Sequence, residues 1–131
     1  MTSDDRFRKI NELIERSSSI LVAGHEMPDG DSMSSALALS SILRRLGKEV
    51  TLFNEDWFPF NYMFLKDSES AVRKLPQKAP DLFIIVDCGS PERVSKSLYE
   101  MMEKSSSPKI LFDHHVENEK SRKFFDEVYI D

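Results

Sequence analysis

The sequence has a single cysteine, Cys88, so no disulfide framework is available to it. A reducing compartment is the expectation, and the fold must be held by packing. No apolar run approaches the length of a membrane span. The first residues, Met1 to Arg8, are polar and charged and lack the apolar stretch of a signal peptide. The expected location is therefore cytoplasmic, with no membrane partner. Positive charge is in deficit: 18 basic against 23 acidic residues leave a net charge of -5. That balance argues against a surface that coats nucleic acid generally. It leaves room for a small nucleotide or short oligonucleotide at a metal, because cations reverse the local sign. No Gly-x-Gly-x-x-Gly follows the first apolar run, which weakens a dinucleotide-binding reading. Internal repeats and low-complexity tracts are also missing.

What is present fits one ordinary globular domain. A length of 131 residues can bury a real core. Residues 4–17 read as a helix with Phe7, Ile10 and Ile14 on one face. Ile20 to Ala23 reads as a strand buried on both faces. A helix is expected from about Asp31 to Leu46, stopped by Gly47, and then a strand from Val50 to Phe53. A short helix is expected near Ser68 to Leu75, and a strand from Leu82 to Val86. Ser90-Pro91-Glu92 has the form of a helix start, with Val94, Leu98 and Met101 as the buried face. Ile110 to Phe112 and Val128 to Ile130 read as the last strands, and the charged stretch Glu117 to Arg122 as a solvated face. Alternating strands and helices predict an α/β, Rossmann-like three-layer sandwich. The expectation is a mainly parallel five-stranded sheet with helices on both faces.

Chemistry-bearing residues follow three of these strands. His25-Glu26-Met27-Pro28-Asp29-Gly30-Asp31 follows the first, Asp87 the third, and Asp113-His114-His115 the fourth. Open parallel sheets bind ligands at the carboxyl ends of their strands, so these residues should converge on one edge. Each motif alone has a plainer reading. Asp29-Gly30-Asp31 can be a turn and a helix cap, Asp-His-His a polar loop, and Asp87 a loop acid. Their joint occurrence at successive strand ends is what points to a site. Asp oxygens and His nitrogens without a thiolate suit Mn²⁺, Mg²⁺ or Co²⁺ better than a structural zinc. Clustered carboxylates need cations to neutralise them. Two ions about 3.5–4 Å apart clamp a phosphoryl group well and need a shared carboxylate, for which Asp87 is the natural candidate. Gly30 is expected to let the chain turn so that both neighbouring acids reach inward.

Gly24-His25-x-x-Pro28-Asp29-Gly30-Asp31, then Val86-Asp87 with Arg93 beyond it, then Asp113-His114-His115, resembles the DHH phosphoesterase superfamily. That group includes RecJ-like exonucleases, family II pyrophosphatases, exopolyphosphatases and small enzymes that degrade oligoribonucleotides or dephosphorylate 3′-phosphoadenosine 5′-phosphate. Asn61-Tyr62-Met63-Phe64-Leu65 looks most like the last branch. The resemblance implies a metal-dependent hydrolase of phosphomonoesters or phosphodiesters using two metals, with Mn²⁺ the expected ion. It implies one metal at His25, Asp29 and Asp87, and a second at Asp31, Asp87 and His114. Asp113 would orient His114, His115 would face the phosphate as donor or general acid, and Arg93 would steady the site. The family's fourth motif and substrate-gripping domain are not found in residues 1–131, so the chain is expected to be truncated before them. A metal- and nucleotide-binding fragment with little turnover is the alternative.

Two departures from the family pattern carry expectations of their own. Ser34-Ser35 stands where Gly-Ser is usual, which predicts crowding at a helix–strand approach. Cys88 stands beside the bridging acid, where a packing role is weighed above a nucleophilic one. The aromatic group from Trp57 to Phe64 reads as core or interface, with base stacking as the sharper reading. A homodimer is a further expectation, with this cluster one candidate contact surface.

Overall fold

The computed structural model describes residues 2–131. Helix α1 (Ser3–Arg16) opens with a capping box in which Thr2 and Asp5 satisfy each other's backbone N–H groups. Strand β1 (Ser19–Ala23) leads through Gly24 into α2 (Gly30–Arg45), and β2 (Glu49–Phe53) follows. Strand β3 is Leu82–Val86, α3 Lys96–Lys104, β4 Lys109–Asp113, α4 Glu119–Phe124 and β5 Glu127–Ile130. The sheet is wholly parallel, in the order β2-β1-β3-β4-β5.

The pleat explains the two cores. Ile20, Val22, Leu82, Ile84 and Ile110 point to one face and pack with Ile10 of α1 and Ala36, Leu37 and Leu43 of α2. Leu21, Ala23, Phe83, Ile85 and Leu111 point to the other and pack with Leu98 and Met102 of α3 and with Phe125 after α4. The central strand β3, buried at every position, is as apolar as a strand covered on both faces must be. This is the expected three-layer sandwich. No helix among the described residues is long and apolar enough to cross a membrane.

Two local expectations are corrected. Ser90-Pro91 does not start the helix after β3. Pro91–Arg93 is one 3₁₀ turn, and α3 begins at Lys96 with the Ser95 hydroxyl accepting from Leu98 N–H. In α3 Met102 is fully buried, and the expected Met101 packs half-buried against the same core. Helix near residues 68–75 is limited to the turn Ser68–Ser70, because Val72 then pairs with the end of β2 at Phe53. The charged stretch at 117–122 is a solvated face as expected, with Glu119, Lys120 and Arg122 exposed, and it forms the start of α4, capped by the Asn118 carboxamide accepting from Ser121 N–H.

Candidate active site

The order of the sheet reverses direction between β1 and β3, which opens a crevice at their carboxyl ends. His25 leaves β1 there and Asp87 leaves β3. The loop after β4 adds Asp113, His114 and His115, and the start of α2 adds Asp29 and Asp31.

Asp87 is the centre of the arrangement. Only 6% of it is exposed. Its Oδ2 lies 3.7 Å from His25 Nε2, and its Oδ1 lies 2.9 Å from His114 Nε2 and 3.9 Å from His115 Nδ1. One carboxylate thus faces two sets of partners with its two oxygens. Its backbone has φ +51°, a left-handed conformation that is sparse for residues with a side chain and easiest for Asp and Asn among them. The Asp87 N–H donating to the Phe112 carbonyl at 2.9 Å fixes the residue to the next strand in that conformation. Burial holds the Asp87 carboxyl above the usual carboxylate range, and the charges of Asp31 and Asp29 add to this, against the His114 hydrogen bond and His25.

On one side stand His25 and Asp29. His25, 7% exposed, is oriented by its Nδ1 lying 2.6 Å from the Glu26 carbonyl, which leaves Nε2 facing Asp29 Oδ1 at 3.9 Å. Asp29 caps α2 by accepting from Ser32 N–H, and that bond lowers its pKa. His25, Asp29 and Asp87 each offer a ligand atom, all within 4.8 Å of one another. On the other side His114 Nε2 lies 3.0 Å from Asp31 Oδ2, and Asp87, Asp113, His114 and His115 form a second such group. Contact with Asp87 is the main cause raising the His114 pKa.

The expected role of Asp113 is changed. Its Oδ1 meets the ring of His115 at 2.6 Å and the backbone N–H of His114 at 2.8 Å, so it orients the second histidine ring rather than the first. Gly30 also has a different reason. It is helical, and a side chain there would strike the Tyr62 ring and hydroxyl at 2.8–3.0 Å. Ser34 crowds nothing. It is exposed and its hydroxyl donates back to the Gly30 carbonyl at 2.7 Å. The close helix–strand approach lies instead between Ser32 and Gly24, where any β-carbon would meet the serine hydroxyl. Cys88 is fully buried, donates to the Ser90 carbonyl and has its thiol pushed up to about 11 by burial, so packing is its role.

Arg93 is exposed. Its carbonyl accepts from Glu26 N–H at 2.7 Å, and its guanidinium and the His115 ring both lie close to Gly89, where a β-carbon would be in ordinary contact with each. Sequence reasoning missed Asn118, whose carboxamide donates to the Gly89 carbonyl while capping α4. It also missed Tyr129, which with Val86 and Phe112 walls a cleft of about 430 Å³ reaching Asp31, Asp87 and His114. An isolated tyrosine in an edge strand carries no sequence signal for lining a cleft. The expected aromatic cluster is mostly on the surface: Trp57 is 78% exposed, Phe60 86% and Phe64 80%, while Phe58 packs on the core.

Among solved structures, an exopolyphosphatase-related protein from Bacteroides fragilis aligns with a TM-score of 0.85 and 21% identity, over 99% of this chain and 40% of that one. This chain therefore spans less than half the length of that relative. The RpiR transcription factor from Sphaerobacter thermophilus (sugar isomerase domain) aligns with a TM-score of 0.61 and 17% identity, over 98% of this chain and 64% of that one. At these identities the two likenesses speak for the fold. No curated protein matches the chain. Residues 19–129, which carry every motif described above, match the N-terminal domain of the DHH family, and the chain belongs to that family.

Proposed function

We propose that this chain is the catalytic, metal-holding domain of a phosphoesterase acting on small nucleotides or short oligonucleotides. The observation that carries the reading is the position of Asp87, shared between the His25–Asp29 group and the histidines after β4. A buried carboxylate among Asp29, Asp31 and Asp113 is electrostatically costly unless cations neutralise it, and the oxygen and nitrogen donors fit hard or borderline divalent ions, Mn²⁺ first. His25, Asp29 and Asp87 would hold one ion; Asp31, Asp87 and His114 a second. When bound, the ions would supply charge neutralisation and Lewis acidity for attack on phosphorus.

The chain's own groups have separable tasks. Asp87 fixes the spacing of the two ligand groups. His115, with Nδ1 anchored on Asp113, presents Nε2 as a proton donor to the leaving oxygen. Arg93, beside His115, would add positive charge for the phosphate. Activity is measured as Mn²⁺-dependent hydrolysis of bis-p-nitrophenyl phosphate, with Mn²⁺ binding followed in parallel and Asp87→Ala as control. Binding and turnover that are both lost in the variant uphold the reading. Absence of Mn²⁺ binding overturns it. A second reading, a module that holds metal and nucleotide with little turnover of its own, is favoured by one observation: the chain matches only 40% of the length of the exopolyphosphatase-related protein. Mn²⁺ binding without turnover would select it.

A further inference from the structure

The loop that carries the ligands of the first group is held from outside. Between His25 and Asp29 the chain passes through Met27, which is exposed and has φ +47°. A side-chain-bearing residue keeps that conformation where its surroundings fix it. Two bonds do so. Glu26 N–H donates to the Arg93 carbonyl, and Met27 N–H donates to Asp56 Oδ2 at 2.9 Å. An ionised carboxylate accepting a backbone N–H makes a stronger bond than a neutral acceptor would. Asp56 is itself anchored: its carbonyl accepts from the carboxamide of Asn54, which is buried and tied by its own N–H to the Val72 carbonyl. Six residues on, Tyr62 lays its ring over Gly30, the residue between Asp29 and Asp31. The segment after β2 therefore grips the ligand loop at two points, one on each side of Asp29.

We infer that Asp56 and Tyr62 are positioning residues for the ligand loop His25–Asp31. They touch no reacting group. They hold the strained turn at Met27 and the first turn of α2, so that His25, Asp29 and Asp31 meet Asp87 already arranged. The part of this inference that concerns metal rests on the function proposed above; the clamp itself does not.

The test uses two readouts on the unaltered chain and on Asp56→Ala, Asp56→Asn, Tyr62→Ala and Tyr62→Phe. Amide hydrogen exchange is followed in the metal-free protein, and Mn²⁺ affinity is followed by titration. In Asp56→Ala, exchange at Met27 is expected to quicken about tenfold, the loss of one charge-assisted local bond, while Leu82–Val86 stay protected. Mn²⁺ affinity is expected to fall about 10–100-fold, as for other partners that orient ligands. Asp56→Asn, which keeps an acceptor oxygen, and Tyr62→Phe, which keeps the ring on Gly30, should recover most of both. Tyr62→Ala should loosen Gly30 and Asp31 rather than Met27. Unchanged exchange at Met27 in Asp56→Ala overturns the clamp. Faster exchange with unchanged Mn²⁺ affinity overturns its positioning role. Failure of the unaltered chain to bind Mn²⁺ sinks the metal reading alone, and the exchange arm still decides whether Asp56 and Tyr62 hold the loop.

Discussion

His114 Nε2 lies 2.9 Å from Asp87 Oδ1. That contact joins an exposed imidazole to a carboxylate whose pKa burial has raised, across the carboxyl ends of two neighbouring strands. In the metal-free protein the contact only partly offsets the cost of burying a charge beside Asp29 and Asp31. Asp87→Asn keeps the shape and tolerates the left-handed backbone, while removing the charge. The expected outcome is a split. Thermal unfolding of the metal-free variant should come at an unchanged or higher temperature. Mn²⁺ affinity should fall by at least the roughly 10–100-fold typical of losing an outer partner of a ligand. A fall in both would mean that Asp87 is chiefly structural.

Asp81 provides a pH test away from the site. Its Oδ2 accepts from Ser18 N–H at 2.9 Å and Ser19 N–H at 3.1 Å, tying the start of β3 to the start of β1. Those bonds, that from Ser19 first, hold its carboxyl below the usual range. A depressed folded pKa contributes stability that is complete above the unfolded value, about 3.9, and is lost as pH falls through the folded value. Asp81→Ala should therefore melt at a lower temperature than the unaltered chain at pH 7. The gap should narrow once the pH drops below about 4. A gap that stays constant with pH would assign the loss to packing.

Cys88, buried and with its thiol pushed up to about 11, should react very slowly with a disulfide reagent at pH 8 in the folded protein and rapidly in denaturant. Quick reaction in the folded state would mean that the loop after β3 opens.

The sheet, its two helical layers and the convergence of the three motifs were legible because their signals are local: apolar runs, helical spacing, and acids or histidines just past strand ends. What sequence did not show depends on contacts between segments far apart. Asp113 was expected on His114 because the family resemblance implied it, yet the chain turns so that its carboxylate meets the ring two positions on. Gly30 had a plausible reason in its acidic neighbours and a real one in Tyr62, thirty-two residues away in sequence. Ser90-Pro91 has every mark of a helix start, but the 3₁₀ turn it makes is closed at Val94 and the α-helix begins at Lys96, capped by Ser95.

Asn118 shows the same dependence and predicts its own energetics. Its carbonyl oxygen caps α4 through Ser121 N–H at 2.9 Å, and its amide donates to the Gly89 carbonyl beside His115. Asn118→Ala should cost about 0.5–2 kcal/mol for the lost cap. Asn118→Asp keeps the cap but not the donor to Gly89. Denaturant unfolding of the two variants separates the contributions: equal stability of Asn118→Asp and the unaltered chain would show that the bond to Gly89 adds nothing.

His115 is close enough to Asp87 to be a metal ligand and well enough oriented by Asp113 to be a proton donor. Leaving-group chemistry separates the two. A p-nitrophenolate leaves without protonation, whereas the alkoxide of a ribose does not, so a general acid matters for the second and hardly for the first. If His115 donates the proton, His115→Gln should lower kcat on a short oligoribonucleotide by about 10²–10⁴-fold and barely alter bis-p-nitrophenyl phosphate hydrolysis. Asp113→Asn should follow the same pattern more weakly, because it removes the anchor of the His115 ring and leaves the ring itself. Mn²⁺ affinity should stay close to that of the unaltered chain in both. Equal losses on the two substrates, accompanied by weaker Mn²⁺ binding, would instead make His115 a ligand of the second ion.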